Sequence, residues 1–382
     1  MIISYICSIA NICYVFLYTF HRNFRQKRYD MLICIFFKKH TPYVLLLCYK
    51  KLWHGNFNMT FLLYKIFFYS LFFLLFINIS DNILMEEKYM KHIILANPVS
   101  GKKKGKIYAS RVQDLLKKNN INAEIILSEY PKHLTKIAHD LSKKDCYRFY
   151  VLGGDGTLNE VASGIVGSNS EIVVIPCGTG NDFLRSISKY MSMRKIVNES
   201  INKKAIPTDI ITYGKDKYCI NILNMGFDAM IAKNVDKFRN FPFISGSAKY
   251  NLSILYTLSS AKNFKFKIRS KDKVLKGKFT LAAIANGKYY GGGIKPCPNA
   301  DVNDGFLDCC IIDSTDLFSK IKLLPKYKKG NHTNLKQVNI FKAKEVSIVS
   351  TKKFPISVDG EIYYTNKLHI KVLPEAINIV HI

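Results

Sequence analysis

Three short segments of this 382-residue chain combine glycines with hydroxyls or carboxylates: Asn97-Pro98-Val99-Ser100-Gly101, Gly153-Gly154-Asp155-Gly156-Thr157 and Gly178-Thr179-Gly180-Asn181-Asp182. Glycines in such places let backbone N–H groups approach phosphate oxygens, and a helix starting just afterwards favours the anion. Asp155 and Asp182 would repel a bare phosphate, so they belong beside one only with Mg2+ in between. Each loop alone is ordinary turn punctuation; their number and order carry the reading. The common nucleotide motifs are absent: no G-x-x-x-x-G-K-[ST] and no G-x-G-x-x-G occurs, and the stretch from Gly101 to Lys106 has the wrong spacing. No Ser/His/Asp or Cys/His arrangement stands out, so covalent catalysis is not expected.

The elements that must position these loops follow from the hydrophobic pattern. Residues 92–98 form a short apolar run that ends in Asn-Pro, as a buried strand does. Helical spacing then runs from Ile107 to Lys118, strand character returns at 123–129, and a helix follows from His133. The second and third glycine loops again come directly after apolar runs and lead into helices. Alternation of this kind predicts a parallel sheet covered by helices. Loops at the carboxyl ends of neighbouring parallel strands converge on one crevice. After about residue 209 strand-like runs dominate, interrupted by one helical stretch at 247–260, so a second, mainly β domain is expected.

The net charge is +29, and residues 90–382 hold 47 Lys and Arg against 24 Asp and Glu. Such a field favours an anionic partner, although an AT-rich coding sequence enriches Lys along with Ile, Asn, Phe and Tyr. No aromatic-interleaved RNA-binding motif is present, so nucleic acid is not expected. The ten cysteines include no C-x-x-C pair, which fits free thiols in a reducing compartment and no zinc site. Residues 1–89 are different. Apolar stretches at 2–20 and 60–79 flank basic clusters, and the second is long enough to span a bilayer. A membrane anchor and translated spacer ahead of a start at Met90 both account for this extension.

The loops have a counterpart in a known family. G-G-D-G-T followed by G-T-G-N-D-F-x-R resembles the diacylglycerol kinase, sphingosine kinase and ceramide kinase superfamily, especially its soluble bacterial lipid kinases. So do Thr208-Asp209, the segment Asn221 to Asp228, Gly291-Gly292-Gly293, the segment Pro298 to Gly305 and Val358-Asp359-Gly360-Glu361. The resemblance covers 91–382 and none of 1–84. It implies an α/β ATP-binding domain over 90–213 and a β-rich lipid-substrate domain over 214–382, whose last twenty residues or so return to the first. It also implies ATP and Mg2+, with a lipid alcohol as acceptor, diacylglycerol by default.

Carried over position by position, the resemblance lines the ATP site with Asn97, Pro98, Ser100, Gly101, Ser128, Gly153, Gly154, Asp155, Gly156, Thr157, Asn159, Glu160, Gly178, Thr179 and Asn181. Asp155, Asp182 and Asp209 would form an acidic network around the catalytic Mg2+. Glu361 matches the general base for the lipid hydroxyl, although alone it reads as a surface acid beside a D-G hairpin turn. A second, structural Mg2+ would take the Asp304 side chain and the carbonyls of Asp301 and Phe306. Position 303 is Asn where some relatives carry Asp, which weakens that site.

Two alternatives share parts of this pattern. An NAD kinase-like nucleotide kinase has the same G-G-D-G turn but needs a downstream N-N-E segment. A non-catalytic lipid-binding relative would not need Asp155, Asp182 and Glu361. The expected setting is cytoplasmic, with peripheral docking on an anionic membrane surface, and a homodimer stays open. Phe238 and Phe241-Pro242-Phe243-Ile244, beside Lys233, Lys237 and Arg239, form a candidate docking loop that reads equally well as core packing.

Overall fold

The computed structural model describes residues 14–24, 27–38, 41–50 and 90–382, the last without 179, 189, 190, 239–251, 255 and 258–262. The chain divides into two units, Met1–Tyr89 and Met90–Ile382. In the first, β1 (Tyr14–Phe24), β2 (Lys27–Lys38) and β3 (Thr41–Lys50) make an antiparallel sheet in that order. Residues 14–20 of the first apolar stretch are therefore strand, and the run 60–79 lies outside the described residues. Among the described residues, no helix is long and apolar enough to cross a membrane.

The second unit begins with the expected alternation. Its elements are β4 (Lys91–Ala96), α1 (Ser100–Lys103), α2 (Gly105–Lys117), β5 (Ala123–Leu127), α3 (His133–Ser142), β6 (Tyr147–Gly153), α4 (Asp155–Ile165), β7 (Glu171–Pro176), α5 (Asp182–Ile187) and α6 (Met193–Asn202). The four strands lie in the order β7-β6-β4-β5, and each of the three contacts is parallel. Their side chains alternate between two cores. Ile93, Leu95, Phe149, Val151, Ile172 and Val174 face α3 and α4. Ile94, Ala96, Tyr150, Leu152, Val173 and Ile175 face α2 and α6. A strand buried on both faces reads as an unbroken apolar run, which is why β4, β6 and β7 are visible in the sequence.

The rest is antiparallel, apart from one late contact. It comprises β8 (Ile206–Gly214), β9 (Lys217–Cys219), β10 (Ile222–Gly226), α7 (Phe227–Phe238), β11 (Phe264–Arg269), β12 (Val274–Ala285), β13 (Leu307–Asp313), α8 (Leu317–Lys329), β14 (Val338–Ala343), β15 (Glu345–Val358) and β16 (Glu361–Ile379). The strand order is β14-β13-β12-β10-β15-β16, with β11 across β12 and β15. One face packs Phe266, Ile268, Phe354 and their neighbours into a β core. The other carries Ile222, Leu281 and Ala283 against Phe227 and Ile231 of α7 and Leu323 and Tyr327 of α8. The 19-residue β16 runs antiparallel to β15 and β8, then turns parallel to β7 at Asn378 and Ile379.

The division expected near residue 213 falls at the end of β8, inside this unit. Of the helical stretch expected at 247–260, Leu252–Ile254 and Tyr256–Thr257 are helical, and the remainder is largely outside the described residues. Residues 239–244 of the candidate docking loop are likewise outside them.

Candidate active site

The three glycine loops meet at the carboxyl ends of β4, β6 and β7. A Cβ added to Gly178 would lie 2.7 Å from the Cα of Gly154, and one on Gly101 would lie 3.0 Å from the carbonyl oxygen of Cys177. The Cys177 and Gly178 N–H groups both donate to the Gly153 carbonyl (3.1 and 3.2 Å). Only glycine permits this approach: backbone atoms less than 3 Å from a Cβ cannot yield as a flexible side chain can. At Gly153 an added Cβ would strike the Thr157 side chain, so buried Thr157 packs beneath the second loop. Asn97 closes the first loop by accepting the Val99 N–H through its side chain (3.1 Å). Asn181, in a left-handed conformation (φ 50°), exchanges hydrogen bonds with Gly178 at 3.2 and 2.9 Å. Ser128 reaches this edge because its N–H donates to the Ala96 carbonyl (2.9 Å). Pro98, Ser100 and Gly101 are half-buried at the start of α1, Gly156 is exposed, and Glu160 is half-buried on α4. Thr179 lies outside the described residues.

Two carboxylates face each other across Gly180. A Cβ there would be 3.0 Å from an oxygen of Asp155 and 3.3 Å from one of Asp182. Asp155 opens α4 and accepts the Phe183 N–H (3.2 Å). Asp182 opens α5 and accepts the Gly292 N–H through Oδ2 (2.7 Å). Its Oδ1 is buried with no hydrogen-bond partner among the described residues, and Arg185 Nε stands 3.9 Å away, beyond hydrogen-bond reach. Burial pushes the Asp182 carboxyl above the usual carboxylate range, and the charge of Asp155 pushes it the same way, against the Gly292 N–H. An orphaned buried oxygen beside a second acid is what a divalent cation would resolve. Mg2+ is commonly held by one or two carboxylates with phosphate oxygens completing the shell, so this pair fits the metal expected here. Behind the pair, a small pocket is lined by Val151, Leu158, Val174 and Leu184 together with the two loops.

Asp209 does not join this pair. Its carboxylate accepts the Gly305 N–H (2.7 Å) and the Glu375 N–H (2.9 Å). It thereby ties β8 to the 301–306 loop and to a bulge in β16, where Glu375 is left-handed (φ 51°). Burial raises its pKa, and the acidic charges that act on it are Asp304 and Glu375, whereas Asp155 acts on Asp182. Asp209 thus takes its direct hydrogen bonds from Gly305 and Glu375, while the direct contact among the three acids is between Asp155 and Asp182. Asn159 also departs from expectation. Its side chain accepts the Ile220 N–H (3.1 Å) and donates to the Tyr218 carbonyl (3.4 Å), so it serves β9 instead of a nucleotide. One helical turn beyond Asp155 and on the same side of α4, it is taken up by these two backbone groups.

In the 301–306 loop, Asp301 accepts the Asn303 N–H (3.1 Å) and Asp304 accepts the Phe306 N–H (3.0 Å). The other Asp304 oxygen pairs with Lys342 Nζ (2.6 Å), which also reaches Asp308 (2.8 Å). Among the described residues, no group of three or more His, Cys, Asp or Glu side chains is arranged to hold a metal ion. A lysine therefore holds the Asp304 oxygen that the expected second metal would take.

Glu361 begins β16 opposite Val358, across the two-residue turn Asp359-Gly360. Both turn residues have positive φ (45° and 96°), as a type I′ hairpin requires. Exposed Glu361 accepts a hydrogen bond from the Tyr363 hydroxyl, two residues on along the strand. The turn residue Asp359 carries more than its sequence suggested. Its two oxygens accept the Ile220 (2.9 Å) and Ile222 (3.1 Å) N–H groups, pinning the Glu361 hairpin beside β9 and β10. Burial pushes its carboxyl up to about 7, with Asp155 adding to the rise against the two N–H groups and Cys219. Of two further supports, Gly292, whose N–H holds Asp182, lies in the glycine run already noted, whereas buried Asn286, which donates to the carbonyls of Asp209 and Ile220 (2.9 Å each), had no legible signal.

Comparison with known proteins agrees with this arrangement. Residues 91–213 match the diacylglycerol kinase catalytic domain, and residues 221–381 match the YegS C-terminal NAD kinase beta sandwich-like domain. The chain belongs to the diacylglycerol-kinase-type family of lipid kinases. It is 29% identical to "Putative lipid kinase YtlR" of Bacillus subtilis (strain 168), across 76% of this chain and 99% of that one. A "Putative lipid kinase" of Staphylococcus carnosus (strain TM300) is 26% identical over 78% of this chain and 99% of its own length. The crystal structure of "a putative diacylglycerol kinase" from Bacillus anthracis str. Sterne shares the fold, with a TM-score of 0.62 at 21% identity, covering 77% of this chain and 98% of that one.

Proposed function

We propose that this chain transfers the γ-phosphoryl group of ATP to the hydroxyl of a membrane lipid alcohol, with diacylglycerol as acceptor and phosphatidic acid as product. The observation that carries the reading is the Asp155–Asp182 pair, with its orphaned oxygen, set where three glycine loops converge. In this reading the 97–101, 153–157 and 178–181 loops hold the ATP phosphates in line with the acceptor. Bound Mg2+ would supply positive charge against the phosphate oxygens, and Asp155 and Asp182 are the residues that would hold it. Glu361 takes the acceptor's proton as its oxygen attacks the γ-phosphorus and the bond to the ADP oxygen breaks. The Tyr363 hydroxyl keeps the Glu361 carboxylate oriented, and Asp359 fixes the hairpin that presents it. A positioned base of this kind contributes about 10²–10⁴-fold.

Radiolabelled ATP and Mg2+, supplied with a panel of lipid alcohols in mixed micelles and in parallel with NAD, tests the proposal. Label entering phosphatidic acid is the expected result. Label in sphingoid or polyprenyl phosphates would keep the reaction and change the acceptor. Label in NADP, or none at all, would overturn it.

A further inference from the structure

Among the described residues, nothing covers one face of helix α8. Leu317, Phe318 and Ile321 are 47%, 65% and 50% exposed, which is unusual for three large apolar side chains within five residues. They share the outer arc of the helix, while Leu323 and Tyr327 on the opposite arc are buried in the core beneath it. Lys322, Lys326, Lys328 and Lys329 are exposed on the same outer half, and the helix itself holds no acidic residue. None of these four lysines pairs with a carboxylate among the described residues. The one acid at the helix start, Asp316, is engaged as the N-cap, accepting from the Ser319 N–H (3.0 Å) and hydroxyl (2.6 Å). Lys322 Nζ lies 4.2 Å from the centre of the Phe318 ring, so cation and ring form one amphipathic unit.

We infer that α8 lies on an anionic lipid surface, its N-terminal apolar residues inserted among the headgroups and its C-terminal lysines against lipid phosphates. Apolar rings flanked by lysines on the exposed face of a helix match the chemistry of that interface, where both kinds of group gain at once. Charge complementarity selects this occupant over a second copy of the chain: a pair of identical helices would bring the lysines of each toward those of the other. The helix is also tied to the candidate active site. The Tyr327 hydroxyl lies 3.5 Å from that of Tyr290, at the start of the loop whose Gly292 N–H holds Asp182. Docking α8 therefore sets the catalytic loops in a fixed relation to the membrane. The inference rests on the reading that the acceptor is a membrane lipid.

The test uses the full chain and does not depend on turnover. In Phe318→Trp, the fluorescence added above that of native Trp53 should shift to shorter wavelength with vesicles of phosphatidylcholine containing about 30% phosphatidylglycerol. It should not shift with phosphatidylcholine alone. In sedimentation, Phe318→Ser with Ile321→Ser, and separately Lys326→Glu with Lys329→Glu, should each weaken binding to the anionic vesicles about tenfold or more. Both pairs should keep the wild-type melting temperature and wild-type activity on a short-chain, water-dispersed diacylglycerol. Unshifted emission from the Phe318→Trp variant, an equal shift on neutral vesicles, or undiminished binding by both double variants would overturn the inference. So would a dimer that the Phe318→Ser, Ile321→Ser change converts to monomer. If no lipid is phosphorylated but the vesicle results stand, the activity reading fails and the docking surface survives. If dispersed lipid is phosphorylated but docking is unaffected, the reverse holds.

Discussion

Replacing Asp359 with Asn should make the chain gain stability, relative to wild type, as pH rises from 5 to 8. Desolvation pushes the carboxyl up to about 7 in the fold, against about 3.9 in an unfolded chain. With the folded-state value the higher of the two, the folded state binds the proton more tightly. The favourable contribution is complete below about pH 4 and is lost as pH climbs to about 7. At about 1.4 kcal/mol per unit, the two units between pH 5 and pH 7 amount to about 3 kcal/mol lost by wild type and not by the variant. Against this stands a cost that does not vary with pH. An Asn side chain can accept the Ile222 N–H but must turn its amide group toward Ile220, whose N–H keeps Asn159 as an acceptor. That lost bond costs about 1 kcal/mol. The variant should therefore be less stable than wild type only below about pH 4.5, close to it at pH 5, and clearly more stable at pH 8. Urea denaturation followed by circular dichroism at four pH values would measure the difference. A constant difference, or one that grows in favour of wild type with pH, would refute the reasoning and mean that the two N–H groups hold Asp359 as a carboxylate throughout.

Other changes have sharp expectations. Asp155→Ala should cut turnover by about 10² or more while leaving the melting temperature close to wild type, because the glycines, not the carboxylate, shape the turn; a residual above a tenth would remove Asp155 from metal binding. Glu361→Gln should lower kcat by about 10²–10⁴ with little effect on the KM for ATP, and a mainly KM effect would argue for a binding role. Gly178→Ala puts a Cβ against the Gly154 backbone, so calorimetry should show ATP affinity reduced at least about tenfold. Lys342→Met strips the cation from Asp308, whose side chain is 5% exposed; with Lys342 itself half-exposed, thermal or urea denaturation should show a cost of about 1–2 kcal/mol.

Some of this architecture can be read directly from residue patterns. Strands β4, β6 and β7 are apolar runs cut off by glycine loops, so both their type and the convergence of those loops are expected. Helix α8 is not. Its sequence, LFSKIKLLPKYKK, keeps lysines on much of its circumference, leaves apolar residues outside and places Pro325 within it, so neither periodicity nor breaker rules mark it as a helix. Helix α7 escapes for a different reason: it follows β10 without a loop, and Gly226 (φ 82°) makes the turn alone. At the site, Asp155 and Asp182 are legible because each sits in its own glycine turn. The partners of Asp209 are not, because Gly305 and Glu375 lie 96 and 166 residues away. Asn159 shows the limit of motif reading: it adjoins G-G-D-G-T in sequence, but the Ile220 N–H and the Tyr218 carbonyl already engage its side chain.

The path of β16 has a consequence for how the molecule is made. One end carries Glu361; the other, at Asn378 and Ile379, supplies the parallel neighbour of β7. The nucleotide-binding half therefore lacks an edge of its sheet until the last stretch of this sequence has left the ribosome, although its own strands were synthesised some 200 residues earlier. Pairing at that sequence distance closes slowly, so β7 stays an open, aggregation-prone edge through much of synthesis.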